Sequence, residues 1–216
     1  MREAGLPIEF APVVLKLRQG QRVTVRAIRP DDRERLQSAV RALSEESRYL
    51  RFMGVLRELS PRLLEIATHP RVGSELQLVA VAGEGTEETI VAGARYSSAA
   101  GSKECEFAIA VTDQWHGVGL ARRLLEVLMQ SASRHGFAQM EGDILASNGR
   151  MLRLAKRLGF VSVESLEDPT VRKVRCDLTR LAGRSAGPAD QCVERQSCRR
   201  VVDPESRVRE NPSTGG

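Results

Sequence analysis

Between Val111 and Leu125 the chain reads VTDQWHGVGLARRLL: a β-like run that stops, glycines at 117 and 119, then a helical stripe. Few arrangements accommodate this. Glycine inside a helix costs roughly 1 kcal/mol relative to alanine, so the pair belongs to a turn, where φ > 0 or the close approach of another group is required. A strand, a glycine turn and a helix start bring free N–H groups and the positive end of a helix dipole to one point. That is the makeup of an anion site. Leu120, Leu124 and Leu128, with Ala121, Leu125, Met129 and Ala132, keep helical spacing after the turn.

The flanking segments restrict the topology. Val23, Val25 and Ala27 alternate with polar residues as a strand does, and Pro30-Asp31-Asp32 opens a helix striped by Leu36, Val40 and Leu43. Ser60-Pro61 starts a second helix. Further β-like runs cover Leu76 to Ala82, Thr89 to Tyr96, Cys105 to Val111 and Gln139 to Ala146. Asn148 starts a helix that closes at Gly159, and Val161 to Val163 and Val171 to Leu178 read as the last strands. Consecutive strands predict antiparallel pairing, and the later β-α-β portion predicts a parallel neighbour. The expected class is therefore α/β of the mixed α+β kind, with a mostly antiparallel sheet of six to seven strands flanked by about four helices. Residues 1–21 read as an N-terminal extension and 22–180 as one domain. Residues 181–216, rich in Gly, Pro, Ser and Arg without apolar periodicity, read as a disordered tail.

Composition narrows the partners. A net charge of +5 favours anionic ligands, yet it is too small to imply nucleic acid, and 4% aromatics provide no base-stacking platform. The first 20 residues lack a signal-peptide h-region and no run is long enough to span a membrane, so a cytoplasmic protein without membrane attachment is expected. The four cysteines have neither zinc-site nor disulfide-framework spacing and read as reduced thiols, with no metal expected. GVGLAR lacks the third glycine of a dinucleotide fingerprint, and no acid follows at the required distance.

The element order and HGVGLA resemble the GNAT superfamily of acyl-CoA-dependent N-acetyltransferases. The signature positions fall on His116, Gly119 and Ala121; a register starting at Gln114 also satisfies the letters. EFAIAVTDQWHGVGLARRLL, ILASNGRMLRLAKRLGF and SEESRYLRFM are similar to the acetyltransferase domain of bacterial protein-lysine acetyltransferases. The resemblance implies acetyl-CoA as co-substrate and an amine acceptor, either a protein lysine or a small molecule, on a monomer or homodimer. It implies a cofactor-binding strand at Ile109, Ala110 and Val111, a diphosphate turn over His116, Gly117, Val118, Gly119, Leu120, Ala121 and Arg122, and a side-chain bond from Asn148. Arg123 and Arg150 are further candidates for a phosphate.

Glu106 matches the catalytic glutamate of the family. Lysine amines are mostly protonated at neutral pH, and a carboxylate beside an apolar strand can remove that proton. Glu104 lies on the same strand face and is the competing base. Two departures stand out. Ala155 occupies the position of the usual tyrosine acid, with Ser147 as a weak substitute, and His116 replaces Gln or Arg. For His116 two roles stay open: an imidazole that still donates the bond shaping the loop, with a charge that varies near neutral pH, or no more than a backbone N–H. A non-catalytic acyl-CoA sensor is the reading from a different class.

Overall fold

A computed structural model describes residues 10–163 and 168–182. Its centre is one eight-stranded sheet. The strands are β1 (Val13–Lys16), β2 (Arg22–Ala27), β3 (Glu75–Ala82), β4 (Thr89–Ser97), β5 (Glu104–Val111), β6 (Gln139–Leu145), β7 (Val161–Val163) and β8 (Val171–Asp177). They lie in the order β1-β2-β3-β4-β5-β6-β8-β7. Every neighbouring pair is antiparallel except β5 and β6, which are parallel. The helices are α1 (Arg33–Arg41), α2 (Glu45–Phe52), α3 (Pro61–Thr68), α4 (Leu120–Arg134), α5 (Gly149–Arg157) and the short α6 (Thr179–Ala182).

The parallel pair follows from α4, which carries the chain back over the sheet before β6 begins. Leu120, Leu124, Leu125 and Leu128 are fully buried along α4, each contributing about 2–3 kcal/mol of apolar burial. Their cluster takes the inward residues of β1 to β6 and β8, including Tyr96, Phe107, Met140 and Cys176. The opposite sheet face carries a smaller cluster in which Leu36 of α1 and Leu64 of α3 meet Val79, Val81 and Ile90. A buried ion pair pins the entry to α1. Arg26 donates two bonds to Asp32, at 2.6 and 2.8 Å, and Asp32 also accepts from the Arg29 N–H.

The sheet and helices exceed the expected number. Residues 13–16, assigned to an extension by the sequence reading, form β1, whose Leu15 joins the core beside Leu17. α2 has every cap signal: the Ser44 hydroxyl accepts from the Ser47 N–H, acids fill the first turn and Arg51 lies in the last. It has no buried residue, which is why periodicity did not reveal it. The predicted tail from residue 183 onward, with Cys192 and Cys198, lies outside the described residues, as do residues 1–9. Cys105 and Cys176 are free and buried. Among the described residues no helix is long and apolar enough to cross a membrane.

Candidate active site

β5 and β6 start as neighbours and then part. Their pairing covers only Glu104 with Gln139, Cys105 with Met140 and Glu106 with Glu141, although β5 runs on to Val111 and β6 to Leu145. From Phe107 onward, then, one edge of β5 lacks a strand partner among the described residues. The ladder alternation decides which groups face that gap. The Thr112 N–H donates to the Val91 carbonyl on the β4 side at 2.9 Å. Alternate residues repeat this, so Ala110, paired with Gly93, turns its main chain to β4, and Phe107, Ile109 and Val111 turn theirs to the gap. The main-chain groups of Ile109 and Val111 thus face the gap, and those of Ala110 belong to the β4 ladder.

Phe107 and Gly142 explain the parting on the core side. Phe107 is buried against Phe160, ring centroids 5.1 Å apart, and its ring lies over Gly142. A Cβ on Gly142 would fall 2.6 Å from the ring. The first β5 residue past the paired segment thus packs on a position of β6 that no side chain can share.

At the open end of the gap lies the glycine turn. Gly117 has φ +79° and Gly119 φ +91°, conformations that strain any residue with a Cβ. Val118 between them is buried in the core, and Leu120 anchors the next position. Gly119 caps α4 without a side-chain bond. The first intrahelical bond runs from the Arg123 N–H to the Gly119 carbonyl, at 3.2 Å. The N–H groups of Leu120, Ala121 and Arg122 therefore precede the helical ladder and point out of its N-terminus. Arg122 itself is exposed and pairs with Glu126 at 2.9 Å.

The exposed His116 side chain reaches back to the end of β5. Its Nε2 lies 2.9 Å from the Val111 carbonyl, so the imidazole, with Nε2–H as donor, ties the loop to the end of β5. The side chain thus donates a bond that shapes the loop, as one of the two expected roles had it, and occupies one of the gap-facing carbonyls. The loop is also tied to α2. Asp113 accepts from the Ser44 N–H, the Ser44 hydroxyl and the Ser47 hydroxyl, at 2.7–2.9 Å. Partial burial pushes the Asp113 carboxyl up, but these bonds and nearby His116 outweigh it and hold the group below its ordinary value.

Asn148 caps α5. Its Oδ1 accepts from the Met151 N–H at 3.0 Å, leaving its NH₂ group for a ligand. Ala155 is buried, so no hydroxyl stands at the tyrosine position. Tyr96 cannot replace it: the residue is fully buried, with its OH 3.2 Å from His135 Nδ1 at the far end of α4.

Glu106 is exposed at the apex of the fork, opposite Ser97 on β4 and Glu141 on β6. Glu141 was missed by the sequence reading because only the parallel register brings it there. Arg175 at 3.2 Å and Lys173 at 3.7 Å neutralise it. Glu106 has no ion pair among the described residues. Glu104 sits at the start of β5, away from the fork, where Ser102 hydrogen-bonds its N–H and carbonyl. α2 packs on β5, and its Arg51 is half-buried near Glu106 and Arg95. Burial lowers the Arg51 guanidinium to about 10, with Arg95 adding to the effect and Glu106 opposing it. A second missed residue is Arg18, in the turn between β1 and β2. Its N–H donates to the Val118 carbonyl at 3.3 Å, and its Nε would lie 3.9 Å from a Cβ on Gly119. Among the described residues no three His, Cys, Asp or Glu gather as metal ligands.

A sheet forked beside a glycine turn, with a free carboxylate at the apex, is the framework of an acyltransferase that uses a thioester of coenzyme A. The model of the acetyltransferase (GNAT) domain family matches residues 22–161, and the chain belongs to that family, whose members perform acetyl-CoA-dependent N-acetylation. It is 34% identical to an acetyltransferase of Pseudomonas aeruginosa over 157 residues, covering 73% of this chain and 84% of that one. It is 29% identical to the acetyltransferase Pat of Mycolicibacterium smegmatis, where the match covers 71% of this chain but 46% of the relative, less than half its length. Among solved structures, the GNAT domain of PAT from S. lividans superposes with a TM-score of 0.72 at 28% identity, covering 78% of this chain and 99% of that domain. A spermidine N-acetyltransferase from Vibrio cholerae in complex with CoA and spermine shares the fold, with a TM-score of 0.61 at 15% identity, covering 74% of this chain and 98% of that one.

Proposed function

We propose that the fork between β5 and β6 receives acetyl-CoA and that Glu106 serves as the base for transfer of the acetyl group to a lysine side chain of a protein. The observation that carries this reading is the alignment along one strand: Glu106 at the apex, gap-facing peptide groups from Phe107 to Val111, and the glycine turn beyond. The pantetheine arm pairs with Ile109 and with the Val111 N–H, and the diphosphate meets the N–H groups of Leu120, Ala121 and Arg122. Gly117, Val118 and Gly119 form the bend, His116 holds it against β5, and Arg18 adds a positive charge beside it. Asn148 offers its NH₂ group from across the fork.

Glu106 accepts a proton from the ammonium, directly or through one water. The neutral amine attacks the thioester carbonyl while a gap-facing N–H of β5 stabilises the oxyanion. As the tetrahedral centre collapses, the C–S bond breaks, the thiolate leaves and the nitrogen gives up its surplus proton to solvent. With Ala155 in the tyrosine position, the thiolate takes its proton from solvent. Glu141 is spent on Lys173 and Arg175 and Glu104 is too far along the strand, so Glu106 is the assigned base. The resemblance of SEESRYLRFM and ILASNGRMLRLAKRLGF to the protein-lysine branch of the family supports a protein lysine over a small amine.

The test measures thiol release from acetyl-CoA with lysine peptides, alongside calorimetry of CoA binding, for the native protein and Glu106→Gln. Turnover should fall by about 10²–10⁴-fold in the variant, with CoA affinity retained. Full turnover in Glu106→Gln removes the residue from the mechanism. CoA binding without transfer to any acceptor supports the sensor reading, which the absence of a hydroxyl at position 155 favours.

A further inference from the structure

Two arginines face the proposed base without a carboxylate of their own. Arg95 and Ser97 lie on the same face of β4, and Ser97 is the direct neighbour of Glu106 across the β4–β5 ladder. The Arg95 guanidinium bonds the Ser97 hydroxyl at 3.4 Å and lines the cleft that Ile66 and Pro70 of the α3 side form with Glu75 and Gln77. Arg51 lies in the last turn of α2, which packs on β5, and the charges of Arg95 and Glu106 both act on it. It makes no hydrogen bond or ion pair among the described residues, and its guanidinium lies over the ring of Phe52, 4.9 Å from the centroid. Glu75, the other carboxylate near Arg95, is bound by Arg71 at 2.7 Å. The acceptor side of the fork thus has two cations and one carboxylate not otherwise engaged, and the mechanism requires that carboxylate for a proton.

From this arrangement we propose that the acceptor carries a carboxylate close to its reactive amine, and that Arg51 and Arg95 receive it. The proposal rests on the reading of Glu106 and the fork given above and narrows the acceptor class within it. A desolvated cation with no counter-ion is costly to keep in a protein, and burial has already drawn the Arg51 guanidinium down. An ammonium arriving alone would add a third positive charge. An ammonium that brings a carboxylate is neutral overall, and guanidinium groups pair with carboxylates through short charge-assisted bonds. When Glu106 takes up the amine's proton, the acceptor's carboxylate becomes the only negative charge left between the two arginines. A polyamine has nothing to offer them.

Two sources of such a carboxylate exist: a glutamate beside the lysine in a peptide, and the α-carboxylate of a free amino acid. Steady-state kinetics with peptides that differ only in Glu, Gln or Arg beside the lysine, with a free amino acid and with spermidine, separates them. The Glu peptide, or the free amino acid, should show a KM about tenfold below the Gln peptide and further below the Arg peptide and spermidine. Arg51→Gln and Arg95→Gln should each bring the Glu-to-Gln ratio towards one. Equal KM values for the Glu and Gln peptides with no transfer to the amino acid, or a preference for spermidine, overturn the proposal. The binding arm needs no turnover: titrating the native protein with glutarate while following arginine Nε–H resonances should move the Arg51 and Arg95 signals saturably, and unmoved signals overturn it. Loss of CoA binding, by contrast, would count against the reading of the fork itself.

Discussion

Gly142→Ala tests the cause of the fork. The new Cβ would lie 2.6, 2.8 and 3.0 Å from Cε1, Cδ1 and Cζ of Phe107. Carbon atoms in good contact are about 3.5–4.0 Å apart, so the ring has to retreat by roughly 1 Å. Phe107 is buried, and Phe160 stands behind it at 5.1 Å between centroids, so the retreat disturbs both the core and the spacing of β5 from β6. Overpacking of this kind costs about 1–3 kcal/mol. For a domain of this size each kcal/mol lowers Tm by about 2–4 °C. Urea denaturation gives the stability change, and calorimetry with CoA gives the effect on the gap. In a Phe107→Leu background the added methyl has a smaller neighbour, so the cost of Gly142→Ala should shrink. An unfolding midpoint equal to that of the native protein, or the same cost in both backgrounds, refutes the steric account.

Asp32→Ala leaves the Arg26 charge buried without its partner and should cost about 3–5 kcal/mol in denaturation experiments. Burial pushes the Asp32 carboxyl up, but the bonds from Arg26 and the Arg29 N–H outweigh it and hold the folded-state pKa below the ordinary value. The ion pair therefore stabilises fully above the unfolded carboxylate pKa of about 3.9. That contribution is lost as pH falls through the folded value, so the acid limb of the stability profile should flatten in the variant. His116→Ala removes the imidazole bond to the Val111 carbonyl, worth about 0.5–1.5 kcal/mol; CoA should bind about two- to tenfold more weakly, and an unchanged affinity would show that the loop holds its shape without it.

Much of the frame was legible because the signals are local. Gly117 and Gly119 announce a turn whatever surrounds them, since only glycine takes φ near +80° or +90° at no steric cost. The leucines of α4 repeat every three or four residues because the helix has one buried face. α2 escaped notice for the converse reason: its caps are clear, yet none of its residues is fully buried. β1 escaped because four residues are too few for alternation to stand out.

By itself the amino-acid order determined most of the strands and helices and the glycine bend, all set by neighbours within a few residues, while Glu106 was singled out by resemblance to a family. Tertiary structure decided what depends on residues distant in the chain. The parallel register brings Glu141 beside Glu106, and Lys173 and Arg175 then neutralise it. The ladder phase sends Ala110 to β4 and Ile109 to the gap. Tertiary packing ties the His116 ring to the Val111 carbonyl, carries Arg18 to the glycine turn and brings Arg51 and Arg95 near Glu106. Hydrogen-bond direction and the meeting of charges are properties of pairs in space, and a linear order of residues does not state which pairs will meet.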